Sequence, residues 1–512
     1  MTVTGSKVGI TLAVMAAATM AVLDISIVNV ALSDIRAAFG TPLDEIGWIS
    51  TGYMMANVCV IPMTGWFQRR FGYRRYFTMS ILMFTASSVL CGCAWNLPSL
   101  VLFRVLQGMG GGAIIPTAQS ILFARYPREE HSMAGSLFGL GAVTGPLLGP
   151  TLGGYLIDVS SWHWIFLVNV PVGLTAAWLA WSNIHEPETP QVTAPIDRTG
   201  IALLVAGMAS LQYVLEEGNR KGWFESLEIV VLSGVAAVSL ITFIVHELEV
   251  EHPIVDLRIF KNRSYAAGTG INFLLGFALF SAMFLFSLYC GAVMHYSALD
   301  IGLIFLAAGS IQIATMPFIG KFSGRFDPRP QVALGICITA TSLWMNSRLT
   351  MQCGFWELAH PQMVRSLGMG LVMIPLSVIA LSDLKPMQRG NAAGLFNLTR
   401  ELGGSIGTAW MGMNVTNLST RNSARLREDI TAYSTPALDQ LSALQPGVGL
   451  RTWDPARASL AIIDYRVGAQ AAVKAFNQGF LTAAGAFLCG LFLILLLKRP
   501  AAGGPGAPPG AH

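Results

Sequence analysis

The stretch PMTGWFQRRFGYRR at residues 62–75 occurs again in the second half of the chain as PFIGKFSGRFDPRP at residues 317–330. At an offset of 255, Pro62, Gly65, Phe67, Arg70, Phe71 and Arg74 coincide with Pro317, Gly320, Phe322, Arg325, Phe326 and Arg329. A second match, at an offset of 259, sets Pro116, Pro127, Ala134, Gly135 and Gly145 on Pro375, Pro386, Ala393, Gly394 and Gly404. Chance matches of glycine and proline are the alternative in a glycine-rich chain. Two matches in the same order at almost one offset indicate instead a duplicated block.

The chain is too apolar and too weakly charged for a soluble protein. Of its 512 residues, 53% are hydrophobic and 12% are charged, whereas about 25% are charged in an ordinary soluble domain. Apolar runs long enough to cross the roughly 30 Å hydrocarbon layer recur along the whole chain. We predict fourteen spans, at about residues 9–33, 46–66, 77–95, 99–124, 133–157, 164–183, 199–217, 226–246, 264–290, 298–320, 331–349, 359–380, 390–415 and 475–497. This pattern excludes a cytosolic enzyme, and the net charge of +4 then reflects loop composition, not a nucleic-acid partner.

The basic residues orient these spans. With the N-terminus inside, the segments on the cytoplasmic side hold Lys7, Arg69, Arg70, Arg74, Arg75, Arg125, Arg128, Arg198, Arg258, Lys261, Arg263, Lys321, Arg325, Arg329, Lys385, Arg389, Lys498 and Arg499. The short loops on the other side hold only Arg36, Arg220, Lys221 and Arg348. The positive-inside rule therefore predicts that both termini are cytoplasmic. The long outside segment at residues 416–474 is exempt from that rule, and its apolar spacing predicts a partly helical periplasmic excursion.

Together, the spans and the repeat predict an all-α polytopic membrane protein with two six-helix bundles. The first bundle is predicted at residues 1–185 and the second at 264–497, with two extra spans inserted at 199–246. The Gly/Pro/Ala-rich tail at 498–512 is predicted to be a disordered cytoplasmic segment. Parallel repeats of this kind occur in secondary transporters, where the substrate path lies between the two halves.

Several stretches resemble a known family. Residues 62–75 resemble the signature of the major facilitator superfamily between its second and third spans. LFRVLQGMGGGAIIPTAQS at 102–120 and GAVTGPLLGPTLGGYL at 141–156 resemble its span-four and span-five antiporter motifs. AVLDISIVNVAL at 21–32, LFNLTRELGGSIGTAW at 395–410 and the fourteen spans resemble the drug:proton antiporter family of EmrB/QacA type. The resemblance covers nearly the whole chain. It implies the major facilitator fold and proton-coupled export of hydrophobic or amphipathic toxic compounds across a bacterial inner membrane.

Other stretches narrow the resemblance to the EmrB-type pumps of tripartite efflux systems. They are IDRTGIALLVAGMASLQYVLEEGNRKGWFESLEI at 196–229, HPIVDLRIF at 252–260, and the long segment before the last span. This likeness implies a periplasmic membrane-fusion adaptor of EmrA type and a TolC-like outer-membrane channel as partners. Arg69 departs from the superfamily pattern, which usually has Asp there, so the contact attributed to that Asp at the inward face must differ in this chain.

Few ionisable residues fall deep inside the predicted spans. Because a buried charge costs several kcal/mol, Asp24, Arg104, Arg365, Arg400 and Glu401 are functional candidates. Burial disfavours a charged carboxylate, so we predict that Asp24 takes and releases the coupled proton. Permanent structural pairing with Arg104 is the alternative.

Two further residues are candidates for proton coupling. Arg104 shares a helix face with Gln107, and the resemblance implies that Arg104 assists proton transfer; simple pairing with a carboxylate is the alternative. Glu401 is a second protonation candidate, because the family more often has a neutral residue there. A structural partnership of Glu401 with Arg400 or Arg365 is its alternative.

Two motifs are predicted to govern conformational change. Span five carries a stripe of small residues with two helix-bending prolines: Gly141, Gly145, Pro146, Gly149, Pro150, Gly153 and Gly154. The resemblance implies that this antiporter motif closes a leak path on the side opposite the open one, and ordinary tight helix packing is also part of its role. The candidate cytoplasmic gate comprises Gly65, Arg70, Gly72, Arg74 and Arg75, although the positive-inside rule alone also explains the arginines.

Polar and aromatic side chains near the predicted midplane are the candidate substrate-cavity residues. They are Asn29, Tyr53, Asn57, Gln107, Gln119, Asn272, Phe273, Gln312, Asn397 and Arg400. An apolar cavity with scattered polar groups suits compounds of varied shape. The sequence has no P-loop, so we predict no cofactor and a proton gradient as the energy source. We also predict no catalytic or metal site, since the seven cysteines lie mostly in apolar runs.

Two other functions stay open. A stand-alone exporter or an importer with the same fold is one alternative, and a non-transporting membrane receptor or scaffold is the other. Asp24, Arg104 and the span-five stripe favour antiport over a scaffold. The long outside segment at 416–474 favours an adaptor partner.

Overall fold

The computed structural model of the chain describes residues 5–127, 130–185, 196–323, 327–382, 384, 388–428, 430, 434–449 and 454–497. Nearly all regular structure in those ranges is helical. The helices are α1 (Lys7–Phe39), α2 (Leu43–Ile46), α3 (Trp48–Phe71), α4 (Tyr73–Gly92), α5 (Leu97–Arg125), α6 (His131–Val159), α7 (Trp164–Leu167), α8 (Asn169–Asn183), α9 (Arg198–Glu217), α10 (Leu227–Glu249), α11 (Arg263–Ala292), α12 (Ala298–Ser323), α13 (Pro328–Asn346), α14 (Phe355–Ser382), α15 (Arg389–Glu428), α16 (Thr435–Gly449), α17 (Pro455–Leu488) and α18 (Gly490–Ile494).

The long helices up to α8 pack together around buried apolar side chains. In this first bundle α1 lies along α6 and α8, while α5 packs against both α3 and α4. A capping box fixes the start of α5: Asn96 Oδ1 accepts from the Ser99 N–H, and Ser99 Oγ accepts from the Asn96 N–H. This cap sets the position of Arg104, two turns further along α5.

The helices from α11 onward form a second bundle, and α9 and α10 lie between the two in sequence. In the second bundle α11 packs along α15, α13 along α14, and α17 against α15 and α13. The inserted helices α9 and α10 pack against each other, and α9 also contacts α3. The inserted pair is therefore attached to the first bundle through α3.

The two bundles meet through α6 with α12 and through α3 with α15. The prolines of the sequence repeat lie inside helices at equivalent places: Pro62 in α3 and Pro317 in α12, Pro116 in α5 and Pro375 in α14. These are the second and fourth long helices of each bundle. The order of helices thus agrees with the duplication inferred from the sequence.

The predicted number of spans is only partly reflected in the helices. Among the described residues, nine helical segments are long and apolar enough to cross a membrane: Lys7–Phe39, Leu97–Arg125, Trp164–Asn183, Arg198–Glu217, Leu227–Glu249, Arg263–Ala292, Leu299–Lys321, Phe355–Leu381 and Arg457–Ile494. The helices α3, α4, α6, α13 and α15 cover the other predicted spans but are not in that set. The count of fourteen stays a prediction, and the tail at 498–512 lies outside the described residues.

The helices α15 and α17 extend well beyond the predicted spans at 390–415 and 475–497. Their extensions pair with each other, since Arg427 Nη2 lies 2.9 Å from Asp464 Oδ1. We call residues 416–428 of α15, α16, and residues 455–474 of α17 the outer hairpin. The periplasmic excursion predicted at 416–474 is therefore an extension of two long helices, with α16 between them, in the part of the chain that is described.

Candidate functional site

Asp24 lies near the middle of α1 and is completely buried. Its Oδ2 accepts a hydrogen bond from Arg104 Nη1 at 2.5 Å. Its Oδ1 accepts from Gln107 Nε2 and from Asn169 Nδ2, each at 2.8 Å. The carboxylate thus has a cationic partner and two amide donors, so its charge is compensated despite its burial.

Arg104 is also buried, and it joins Asp24 to two further helices. Its Nε donates to the Ile49 carbonyl at 3.2 Å, and its Nη1 donates to Gln107 Oε1 at 2.8 Å. The ring of Tyr53 lies 4.2 Å from the guanidinium carbon, a cation–π distance. The arginine therefore holds α1, α3 and α5 together at one point.

Ser88 and Asn169 complete this group and connect it to α4, α7 and α8. Ser88 Oγ accepts from Gln107 Nε2 at 3.2 Å and from Asn169 Nδ2 at 3.0 Å. It donates to the Phe166 carbonyl at 2.9 Å. We call Asp24, Ser88, Arg104, Gln107 and Asn169 the Asp24 cluster. Sequence reasoning identified Asp24, Arg104 and Gln107 but missed Ser88 and Asn169, because neutral polar residues in spans are common; the amide at the start of the sixth span was the only available signal.

The Asp24 cluster lies in the half of the bundle nearer the predicted periplasmic side. Ile49 and Asn169 stand at the outer starts of α3 and α8, and Arg104 lies in the outer third of α5. Beyond the cluster on α1, Asn29 and Asp34 are exposed. Asp24 itself is completely buried, so the carboxylate is shielded from solvent while residues further along the same helix are exposed.

The glycines of the span-five motif face α1 directly. A Cβ atom on Gly145 would lie 2.6 Å from the Leu23 nitrogen, the residue next to Asp24. Added Cβ atoms on Gly141, Gly149 and Gly153 would come within 3.1 Å of Met15 O, 2.5 Å of Ser26 Oγ and 2.8 Å of Ile27 Cγ1. These small residues let the α6 backbone approach α1 at the level of the Asp24 cluster.

The remaining members of that motif differ in their surroundings. Gly154 faces open space, with nothing within 4 Å of an added Cβ. Pro150 lies toward α12, since its Cβ is 3.2 Å from the position of a Cβ on Gly302. The side chain of Pro146 lies outside the described part. One helix, α6, therefore contacts both α1 of the first bundle and α12 of the second.

At the predicted cytoplasmic end the two bundles are joined by close backbone approach. A Cβ on Gly65 of α3 would lie 2.4 Å from the Asn391 nitrogen at the start of α15. Asn391 in turn donates to the Asp256 carbonyl at 2.8 Å and accepts from the Asp256 N–H at 3.2 Å. The segment that follows the inserted helices is thus hydrogen-bonded to the start of α15, at the place where α15 contacts Gly65.

Two side-chain bonds reinforce this junction. Asn397 Nδ2 donates to Gln119 Oε1 at 2.9 Å, and Arg389 Nη1 donates to the Phe123 carbonyl at 3.0 Å. Both bonds join α15 to α5. The structure therefore has its bundles in contact at the predicted cytoplasmic end.

The other candidate gate residues lie on the first bundle. Gly72 has φ +80°, a conformation that glycine adopts readily, and it separates α3 from α4. The guanidinium carbons of Arg70 and Arg74 lie 6.0 Å and 4.0 Å from the rings of Trp66 and Trp181, and Arg75 is exposed. In the second copy of the motif, Arg325 lies outside the described residues.

Arg69, which stands where the superfamily usually has Asp, is half-buried at the end of α3. Burial lowers the pKa of its guanidinium, and the charge of Asp256 partly opposes that effect. The carboxylate near this position thus comes from the segment after α10, while α3 supplies the cation.

In the second bundle, Glu401 lies beside Arg400. Glu401 Oε1 is 3.7 Å from Arg400 Nη2, and the same nitrogen donates to Asn397 Oδ1 at 3.0 Å. Arg365 is buried, with its guanidinium carbon 5.9 Å from the ring of Phe305. Among the described residues the ion-pair contact of Glu401 is with Arg400, not with Arg365.

The candidate cavity residues separate into several groups. Tyr53 and Gln107 belong to the surroundings of Asp24, while Gln119, Asn397 and Arg400 form one hydrogen-bonded chain across the two bundles.

The other candidate cavity residues lie elsewhere. Asn272 donates to the Phe396 carbonyl at 2.6 Å, and the Phe273 carbonyl approaches Gly403, so both serve helix packing. Asn29 accepts from Ser50 Oγ at 3.4 Å, Asn57 lies against Gly112, and Gln312 is half-buried on α12. The structure brings Gln119, Asn397 and Arg400 together but does not gather all ten residues around one point.

Comparisons with known proteins give the family context of this arrangement. The profile of the Major Facilitator Superfamily matches residues 14–408. The Haemophilus influenzae protein named Multidrug export protein EmrB is 34% identical over 497 residues, which cover 97% of this chain and 96% of that protein. The Neisseria gonorrhoeae protein named Fatty acid resistance protein FarB is 32% identical over 498 residues, 97% of each chain. The crystal structure of the human organic anion transporter MFSD10 (TETRAN) has a TM-score of 0.61 at 14% identity and covers 95% of this chain and 99% of that chain, a likeness that shows the fold alone.

Proposed function

This chain belongs to the major facilitator superfamily, and from that premise we propose that it is a proton-coupled antiporter that exports hydrophobic or amphipathic toxic compounds across the bacterial inner membrane. It is a multi-pass membrane transporter and not an enzyme. The names of its relatives, which refer to multidrug export and fatty acid resistance, support a substrate class of amphipathic compounds. The observation that carries the proposal is the buried Asp24 carboxylate with its ring of donors.

Asp24 is the proposed proton-binding group because its charge holds several helices at once. Protonation would remove the negative charge that Arg104, Gln107 and Asn169 share and would weaken the attachment of α1 to α5 and α8. Since Gly145 places α6 directly against α1 beside Asp24, a displacement of α1 is transmitted to α6. The opposite face of α6 contacts α12, so the displacement reaches the second bundle.

Arg104 and Glu401 have supporting roles in this proposal. In this proposal Arg104 assists proton transfer, because it forms the ion pair that breaks when Asp24 is protonated. Glu401 is the proposed second protonation site. It is half-buried beside Arg400, at the point where α15 approaches α5 through Asn397 and Gln119.

The proposed membrane arrangement has fourteen spans, with both termini in the cytoplasm and the bundles at 1–185 and 264–497 flanking the inserted helices at 199–246. The substrate path runs between the bundles, past Gln119, Asn397 and Arg400. The contact of Gly65 with Asn391 then acts as the cytoplasmic gate together with Arg70, Gly72, Arg74 and Arg75. No cofactor takes part, and the proton gradient is the energy source.

The outer hairpin supports a further part of the proposal, the transfer of substrate to a periplasmic adaptor of EmrA type and a TolC-like outer-membrane channel. The extension of α15 and α17 beyond the predicted spans supports this transfer, because in the proposed topology the extended helices form a surface on the periplasmic side. Co-purification of the full chain with an EmrA-type adaptor, lost when α16 is replaced by a short glycine-serine linker, is the expected result. Unchanged whole-cell export after that replacement would favour the stand-alone exporter.

The transport activity itself can be tested in liposomes that contain the purified chain, an imposed pH gradient and a pH-sensitive dye. Addition of a hydrophobic cation or a fatty acid is expected to dissipate the gradient, because the protein exchanges each transported molecule for protons that move in the opposite direction. A gradient that decays at the rate of protein-free liposomes, with all such compounds, would rule out the antiport proposal.

A further inference from the structure

The base of the outer hairpin contains a cavity of about 420 Å³ between α15 and α17. Its lining residues are Asn422, Arg425, Leu426, Lys474, Asn477, Gln478 and Leu481. Asn422 holds the two helices together there, because its Nδ2 donates to Gln478 Oε1 at 3.3 Å and to the Ala471 carbonyl at 3.5 Å. Asn422 is therefore a direct link between the two helices that line the cavity.

The chemistry of the lining favours an anion. Arg425 and Lys474 line the groove from different helices, both are exposed, and no carboxylate is among the described lining residues. Like charges repel, so an anion between the two cations would be stabilised by both. The phosphate oxygens of a ligand suit this pair, since arginine and lysine are the usual phosphate partners in proteins.

A second feature indicates that the ligand also carries a hydrogen-bond donor. Asn477 Nδ2 donates to the Leu349 carbonyl at 3.2 Å, but its Oδ1 is buried and has no hydrogen-bond partner among the described residues. A buried acceptor without a partner costs free energy. A hydroxyl or ammonium group on the ligand would satisfy it once the Asn477 side chain turns toward the cavity.

The position of the cavity relative to the membrane identifies the class of ligand. The apolar stretch from residue 479 to 497 is roughly 28 Å long as a helix, about the thickness of the hydrocarbon layer. Lys474 and Gln478 therefore lie at the level of the headgroups on the predicted periplasmic side. Below them Leu481, Leu488, Phe492 and Leu495 form an exposed apolar stripe that continues from the cavity along α17 and α18.

We propose that this groove binds an outer-leaflet phospholipid. Its phosphate lies between Arg425 and Lys474, its headgroup hydroxyl or ammonium donates to Asn477 Oδ1, and an acyl chain lies along the stripe that begins at Leu481. A bound lipid would thereby brace the outer hairpin against the membrane surface. This inference concerns binding alone and does not depend on the proposed transport activity.

Native mass spectrometry of the full-length protein in neutral detergent tests the site. Phosphatidylglycerol, phosphatidylcholine and inorganic phosphate are the probes. The double variant Arg425→Gln/Lys474→Gln is expected to bind phosphatidylglycerol about tenfold more weakly than the unaltered protein. The matched control, Arg421→Gln/Arg466→Gln, removes two exposed charges from the same helices outside the cavity and should bind as the unaltered protein does.

Phosphatidylcholine, which has no net charge and no headgroup donor, is expected to bind more weakly than phosphatidylglycerol. Equal retention of phosphatidylglycerol by the two double variants would overturn the site. Displacement of the lipid by inorganic phosphate at equal concentration would show a free-anion site and overturn the phospholipid assignment. Circular dichroism melting of both variants checks that neither result comes from unfolding.

Discussion

Arg104 Nη1 donates to Asp24 Oδ2 at 2.5 Å, and both side chains are buried in the first bundle. The pair joins α5 to α1 at the level where Gly145 brings α6 against α1. A change in the charge of either residue would therefore alter the packing of α1, α5 and α6 together.

Arg104→Ala should destabilise the protein by about 3–5 kcal/mol, because it leaves a buried carboxylate without its cation. Arg104→Lys keeps the charge but cannot donate to Asp24, Gln107 and the Ile49 carbonyl from one planar group. We expect Lys to restore part of the stability lost in the Ala variant and to transport slowly. Thermal unfolding and dye-detected proton exchange measure the two effects. Equal stability of all three proteins would argue against a structural role of the pair.

Gly145→Ser should separate α6 from α1, since its Cβ would lie 2.6 Å from the Leu23 nitrogen. Overpacking of this kind typically costs about 1–3 kcal/mol, enough to lower export by about tenfold. Gly154→Ser is the matched control on the same helix, because nothing lies within 4 Å of an added Cβ there. Export by the two variants is compared in whole cells at equal expression, and equal export would remove the gating role of the stripe.

Gly65→Ala should loosen the predicted cytoplasmic gate, because the new methyl group would lie 2.4 Å from the Asn391 nitrogen. We expect faster hydrogen–deuterium exchange at the start of α15, measured by mass spectrometry. Gly47→Ala at the other end of α3 has open space around the added Cβ and should leave that exchange unchanged. If the start of α15 exchanges its amide hydrogens as slowly in the Gly65→Ala variant as in the unaltered protein, the contact is not a gate.

Glu401→Gln should lower the number of protons returned per exported molecule by about one, if Glu401 is the second protonation site. Transport should continue, because Asp24 is unaltered in that variant. Glu428→Gln changes an exposed carboxylate on the same helix and serves as the control. The ratio of proton to substrate flux in liposomes gives the answer, and an unchanged ratio would leave Glu401 as the ion-pair partner of Arg400 alone.

Much of the fold follows from composition and repetition. The apolar runs predicted most helices, and the repeat at 62–75 and 317–330 predicted that Pro62 and Pro317 occupy equivalent helices. The helices α15 and α17 are longer than the predicted spans at 390–415 and 475–497, and their extra turns lie in the segment at 416–474 that was predicted to be partly helical. A hydropathy pattern detects the lipid boundary, but a helix satisfies its own backbone hydrogen bonds and continues through that boundary into water.

The residues of the site that could be predicted from the sequence are mainly those with charged side chains inside predicted spans. Asp24 and Arg104 stand out because charges in spans are rare, and Gln107 follows from the spacing of three along α5. Ser88, Asn169 and the Ile49 carbonyl could not be found in the same way, since a neutral side chain or a backbone group becomes part of a site only through the packing of distant helices. The hydrogen bonds between Asn391 and Asp256 likewise depend on where the segment after α10 packs against the start of α15.

The central claim is that Asp24 binds the transported proton, and the variant Asp24→Asn tests it most directly. The measurement is substrate-driven proton exchange in liposomes that contain equal amounts of folded, inserted protein. The control is Asp34→Asn, which neutralises an exposed carboxylate on the same helix. We predict that Asp24→Asn abolishes the exchange while Asp34→Asn retains it. Exchange by Asp24→Asn at the rate of the unaltered protein would contradict the claim and leave Asp24 as the structural partner of Arg104.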